Sequence, residues 1–315
     1  MCIRDSAYTR RLMRATPRPG GTLHDLLPDA PPRPAAVPSD PRVGEALLEV
    51  ENLAKRFSRV GAAAGWARLA GRAVPAPPRA VDGISFAVRR GESVGLVGES
   101  GCGKSTTSMM VTRLLDADSG TIRFAGHDIG AIPARDFARH PLRARVQMVF
   151  QDPTGSLDPR LSASRAIADP LLRLGRLRGE ALRARVEELA GLVGLPRPLL
   201  GRFPHQLSGG QKARVGIARA IALDPELVVL DEPTAALDVS VQAVVLNLLQ
   251  SLKLRLGISY LFVSHDLHVV RLLCDRVIVM REGRIVEQGS AADVLESPAA
   301  AYTRELLAAI PHPPH

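Results

Sequence analysis

Gly98-Glu99-Ser100-Gly101-Cys102-Gly103-Lys104-Ser105 is the stretch on which the fold turns. It fits Gly-x-x-x-x-Gly-Lys-Ser/Thr. It follows the apolar run Ser93-Val94-Gly95-Leu96-Val97 and opens an amphipathic segment expected to be helical from Lys104 to Leu115. Glycines let successive backbone N–H groups turn inward, and a helix N-terminus adds partial positive charge, so the loop predicts a cradle for phosphate. Lys104 is expected to reach the β- and γ-phosphates of a nucleotide, the Ser105 hydroxyl to ligate Mg²⁺, and Thr106 to donate to the α-phosphate.

Outward from the loop, further short apolar runs recur at Val146–Phe150, Leu227–Leu230, Tyr260–Val263 and Arg276–Met280, with helix-like stretches between most of them. That alternation predicts an α/β fold with a largely parallel sheet. Upstream, Leu48–Glu51 and Ile84–Val88 alternate as half-buried strands do, and a loop rich in Gly, Ala and Pro separates them from Ser58 to Arg79.

Leu227-Val228-Val229-Leu230-Asp231-Glu232 supplies an acidic pair at the end of a buried strand. Asp231 is placed to hold Mg²⁺ and Glu232 to orient and deprotonate an attacking water. The same pair followed by Pro233 also suits the charged start of a helix. Leu207-Ser208-Gly209-Gly210-Gln211, ahead of a helical stretch from Lys212 to Leu223, places a hydroxyl and bare N–H groups at a helix start. It reads as a second anion site or as a capping turn.

With these motifs together, residues from about Leu47 to Pro311 resemble the ABC (ATP-binding cassette) ATPases. Leu207–Gln211 matches the signature motif of that family. The resemblance implies a P-loop core with an antiparallel β-subdomain and a helical subdomain at about 154–215. It also implies a head-to-tail dimer in which Ser208, Gly209, Gly210 and Gln211 contact ATP held by the partner domain. Gln151 matches the Q-loop glutamine, a Mg²⁺ and water contact, and His265, 34 residues beyond Asp231, matches the switch histidine. Asp238 matches the D-loop, although Ala235 stands where a serine is usual, and Phe57 is the aromatic expected to stack on adenine.

Gly155–Arg160, Phe203–His205, Ala236–Ser240 and Ser297–Pro311 resemble the oligopeptide, dipeptide and nickel importers of bacteria. That branch implies two membrane permease subunits and an extracytoplasmic solute-binding protein as partners. The place of work it implies is the cytoplasmic face of the inner membrane. A soluble tandem ABC protein acting on ribosomes or DNA would share every ATP motif. It is disfavoured by the absence of zinc-ligand cysteines and of a long charged linker.

Composition sets limits on the same readings. The chain has 315 residues, 46% of them hydrophobic and 23% charged, the balance of an ordinary globular protein. No run approaches the roughly 18 apolar residues of a membrane span. Cys2, Cys102 and Cys274 form no Cys-x-x-Cys pair, so neither a disulfide framework nor a metal cluster is expected. The net charge is +9, and Arg160 to Arg185 carries seven arginines against Asp169 and Glu180. Without aromatics to stack bases, that stretch reads as a solvated or membrane-proximal face, and no nucleic-acid partner is expected.

Residues 1–46, rich in Pro and Arg, are expected to be a disordered linker arm. Within it, Ala7–Pro17 matches Ala301–Pro311 at seven of eleven positions. An internal repeat of this kind suggests the remnant of a preceding ABC domain, making 47–315 the second domain of a fused pair. Met1–Ser6 has no counterpart before Ala301 and is expected not to be native.

Overall fold

The computed structural model describes residues 23–26, 44–57 and 79–309. The repeat segment Ala7–Pro17, the leader Met1–Ser6 and the loop residues 58–78 lie outside the described residues.

Ser93–Val97 (β3), Val146–Val149 (β6), Leu227–Asp231 (β7) and Ser259–Val263 (β8) are buried at every position, as strands covered on both faces must be. They pair in parallel. With Arg276–Arg281 (β9) and Arg284–Ser290 (β10) they form a six-stranded sheet in the order β10-β9-β3-β8-β7-β6, antiparallel only at the β9–β10 hairpin. A second, antiparallel sheet has the order β2-β1-β4-β5. Its strands are Ala46–Arg56 (β1), Arg79–Arg89 (β2), Ser119–Phe124 (β4) and His127–Asp128 (β5).

Period-two alternation divides the parallel strands between two cores. Val228, Leu230, Tyr260 and Phe262 face the helices, whereas Leu227, Val229, Leu261 and Val263 join Leu53, Val81 and Ile122 from the antiparallel sheet. At about 1.5–3 kcal/mol for each fully buried aliphatic or Phe side chain, these central strands anchor both layers.

Lys104–Val111 (α2) follows β3. It is shorter than the expected Lys104–Leu115, because the Thr112 hydroxyl bonds back to Ser108 O at 2.8 Å and Arg113 takes a left-handed φ of 55°. Between β6 and β7 lie Ala163–Arg173 (α4), Gly179–Leu192 (α5) and Gly209–Ile221 (α6), which pack on one another as a helical unit. The short helix Ala134–Phe137 (α3) precedes β6. After β7 come Val239–Leu256 (α7), Leu267–Leu273 (α8), Ala291–Glu296 (α9) and Ala301–Ala308 (α10). Among the described residues no helix is long and apolar enough to cross a membrane.

The expected linker arm needs a correction at one place. Leu23–Leu26 (α1) forms a helical turn whose two leucines are buried in the helix-side core, and Asn247 Nδ2 of α7 donates to Leu23 O at 3.1 Å. Leucines three apart share one face of a turn, and that face finds apolar cover on α7. Gly44 and Glu45 also join the fold through hydrogen bonds with Arg90, just ahead of the expected start at Leu47.

Most of the basic stretch is engaged locally. Arg160 pairs with Asp158, Arg173 with Asp169, and Arg185 with Glu188 and Asp224, while Arg178 donates to the carbonyls of Leu172 and Leu177.

Candidate functional site

Strand order brings the site residues together. β3, β8, β7 and β6 are consecutive in the sheet and run the same way, so the segments leaving their C-terminal ends share one edge. β3 delivers Gly98–Ser105. β8 delivers His265, β7 delivers Asp231 and Glu232, and β6 delivers Gln151. The register sharpens this: Val149 pairs with Leu230, and Asp231 with Val263, so Gln151, Glu232 and His265 each lie one or two residues past a matched position.

Two side chains converge on one oxygen of a third. Gln151 Nε2 donates to Glu232 Oε2 at 3.0 Å, and His265 Nδ1 lies 3.2 Å from the same atom. Glu232 has a φ of 45°, an uncommon backbone for a non-glycine residue, and is held there by its own N–H bonding to Val263 O at 2.9 Å. The expected catalytic trio therefore forms a single cluster.

In the phosphate loop, Lys104 is buried and its Nζ donates to Gly98 O at 2.7 Å and Glu99 O at 2.8 Å, with Cys102 Sγ at 3.7 Å. Gly98 is required here: its φ is 146°, and a Cβ would stand 2.2 Å from Met280 O. Ser105 Oγ donates to Asp231 Oδ1 at 3.3 Å. Burial raises the Asp231 pKa, the Ser105 hydrogen bond opposes that shift, and the neighbouring Glu232 charge adds to it. A buried, reluctant carboxylate beside a hydroxyl is a pair of hard oxygen donors that suits a divalent cation. Ser100, Gly101, Gly103 and Thr106 complete the loop and first helical turn at the same place.

The signature residues stand apart from this cluster. Ser208 caps α6, its Oγ accepting from Gln211 N at 3.3 Å while Gln211 Oε1 accepts from Ser208 N at 2.9 Å, a reciprocal capping box. Gly209 and Gly210 face Leu237 and Val241, and a Cβ on Gly210 would lie 2.5 Å from Val241 Cγ1. Among the described residues no hydrogen bond joins Ser208, Gly209, Gly210 or Gln211 to the phosphate loop. Asp238 caps α7, accepting from Val241 N at 3.0 Å and from Ser240 Oγ at 2.6 Å. Those hydrogen bonds, the Ser240 one foremost, lower its pKa. Phe57 is 46% exposed just past the end of β1, so it is free of the core and open to a stacking partner.

Three contacts were not read from the sequence. Lys212 Nζ donates to Thr154 Oγ1 at 3.1 Å and Arg219 to Ser156 O at 2.7 Å, tying the signature helix to the segment after Gln151. Glu99 N donates to the Tyr302 hydroxyl at 3.3 Å, so α10 touches the phosphate loop. Tyr302 is one of only three tyrosines, and an aromatic in so sparsely aromatic a chain was the signal available.

The family described as ABC transporter matches residues 81–235, and the oligopeptide/dipeptide transporter, C-terminal region, matches residues 286–315. A putative peptide import ATP-binding protein of Brucella abortus is 51% identical over 233 residues, covering 74% of this chain and 70% of that protein. The oligopeptide transport ATP-binding protein OppD of Mycobacterium tuberculosis is 50% identical over 235 residues, covering 75% of this chain and 38% of that protein. Among solved structures, a dimeric ATP-binding cassette in a post-hydrolysis state bound to ADP and Pi superimposes with a TM-score of 0.67 at 26% identity. The match covers 78% of this chain and 98% of that one.

Proposed function

This chain belongs to the ABC transporter ATPases, and from that premise we propose that it hydrolyses ATP to power import of peptides or similar small solutes across a membrane. The observation that carries the proposal is the convergence of Gln151 and His265 on Glu232, at the sheet edge that also presents the phosphate loop.

In this reading the loop N–H groups and Lys104 cradle the phosphates of ATP. Glu232 takes the proton of the attacking water, while Gln151 and His265 fix its carboxylate. Ser105, Asp231 and Gln151 would be the oxygen donors that hold Mg²⁺, and the ion would supply neutralisation of phosphate charge. Phe57 stacks on adenine. Base stacking on an aromatic is worth about 1–3 kcal/mol, so Phe57→Ala is expected to weaken ATP binding about tenfold in a nucleotide titration.

Ser208, Gly209, Gly210, Gln211 and Asp238 lie outside the phosphate-loop cluster, and this supports a sandwich in which they meet ATP bound to a second ABC domain. The sandwich reading is tested by Ser208→Arg. ATP binding to the lone domain should survive, and hydrolysis should fall about tenfold as the helix N-terminus facing the partner's nucleotide is blocked. Undiminished hydrolysis would remove the sandwich. The second domain is either another copy or one fused upstream, and the repeat at Ala7–Pro17 supports fusion.

Two permease subunits and an extracytoplasmic binding protein complete the proposed machine at the cytoplasmic face of the inner membrane. A groove of about 840 Å³ between the helical unit and the parallel sheet supports a permease contact. It is lined in part by Gln147, Phe150, Asp169, Arg173 and Arg219, and Phe150 is 39% exposed. Co-purification with membrane permeases, with ATPase activity stimulated in proteoliposomes by binding protein and peptide, tests this assignment. Capture on ribosomes without permeases would overturn it.

A further inference from the structure

α10 is built onto the nucleotide site. The Glu287 carboxylate on β10 accepts from Ala299 N at 2.7 Å and Ala300 N at 3.1 Å, and also from the Thr303 hydroxyl, which fixes the start of the helix. Tyr302, one residue into that helix, is only 7% exposed, with the Arg281 guanidinium 4.7 Å from its ring centroid. Its hydroxyl accepts the Glu99 N–H at 3.3 Å.

That N–H and the Gly98 carbonyl belong to the same peptide group. The carbonyl end accepts from Lys104 Nζ at 2.7 Å, so one peptide plane is gripped at both ends, by Lys104 from inside the loop and by Tyr302 from outside it. The β9–β10 hairpin adds a second hold, Gly283 N donating to Cys102 O at 3.0 Å. Gly98 allows this peptide a rotational freedom that other residues lack, so an external restraint is needed to keep it in one orientation.

We propose that Tyr302 is a positioning residue of the nucleotide site, its hydroxyl fixing the Gly98–Glu99 peptide and thereby the resting place of Lys104 and the curvature of the phosphate loop. The proposal rests on the nucleotide-site reading and gives the C-terminal segment, residues 286–315, a role in ATP affinity. A fixed loop binds phosphate without first having to be ordered. Tyr302 therefore acts on binding, while Glu232 and its partners set the chemical step.

Tyr302→Phe keeps the ring, and with it the stacking of Arg281, and removes only the acceptor. In the full chain, the Kd of a fluorescent ATP analogue should rise about fivefold, the worth of one hydrogen bond. At saturating ATP, kcat should stay within about twofold, because the bound state is the same. Amide exchange of the peptide containing Glu99 should quicken. Thr303→Val, which loosens the helix from Glu287 but leaves the Tyr302 hydroxyl in place, is the comparison for a merely structural effect. A Tyr302→Phe variant with wild-type affinity and exchange overturns the proposal. So does one whose affinity falls only as its Tm falls, in step with Thr303→Val. Failure of the wild-type chain to bind the analogue would instead overturn the nucleotide-site reading and this proposal with it.

Discussion

Glu232→Gln is expected to lower ATP turnover by about 10³-fold, the range for removing a general base, while leaving ATP affinity within about twofold. The Glu232 carboxylate, just past the end of β7, can accept a proton and is held still. Its Oε2 is fixed between Gln151 Nε2 and His265 Nδ1, and its backbone by the Val263 carbonyl. An amide of the same shape retains packing and has no place for the proton. Binding survives because the phosphate contacts come from the loop and Lys104. With hydrolysis blocked, ATP-bound domains should remain paired, so size-exclusion chromatography in ATP should move the variant toward a dimer that ADP does not support. Single-turnover kinetics separate the terms: an unchanged chemical rate would exclude Glu232 as the base. Preserved pairing with ADP would break the link between the γ-phosphate and closure.

The parts of this site differ in how far the sequence revealed them, and the difference has physical causes. The phosphate loop, the acidic pair and the buried strands are local patterns, where residue type and spacing suffice. The convergence of Gln151, Glu232 and His265 is not local: it depends on β6, β7 and β8 being neighbours in that order, and resemblance to a family supplied what periodicity could not. β10 escaped notice because Arg284–Ser290 is half-exposed and polar, without an apolar run to announce it. The docked turn at Leu23–Leu26 was hidden by the prolines and arginines around it, its two leucines gaining meaning only against α7. Ser208 was read both as a cap and as an anion contact. The structure displays the cap, and the anion role requires a partner domain. Tyr302 was marked in the sequence by its place in the repeat and by the scarcity of aromatics, and its partner was not, since a hydrogen bond spanning some 200 residues leaves no spacing rule to follow.

Asp231→Asn should lower Mg²⁺-dependent hydrolysis by at least about 10²-fold, the scale of losing one charge-stabilising group, and should at the same time raise the Tm of the nucleotide-free chain. The second half follows from the pKa. Burial, with a smaller push from the Glu232 charge, raises the Asp231 pKa above its ordinary value, and the Ser105 hydroxyl and Lys104 offset this only in part. A carboxyl whose folded pKa is raised favours the folded state while it is protonated, below the unfolded pKa. That contribution is lost as pH rises through the folded value. At neutral pH the wild-type chain therefore folds around a charge its surroundings disfavour, and asparagine, which can still accept from Ser105, removes the penalty. In EDTA the variant should melt higher than wild type at pH 7–8, the two curves approaching each other as pH falls into the carboxylate range. Adding Mg²⁺ and ATP should reverse the order, because a ligand that binds only the folded state stabilises the chain able to hold it. A variant less stable than wild type in EDTA would mean that Asp231 is held chiefly by attraction to Lys104 and Ser105. The cost of keeping an unpaired carboxylate buried would then not be the price of a cation site.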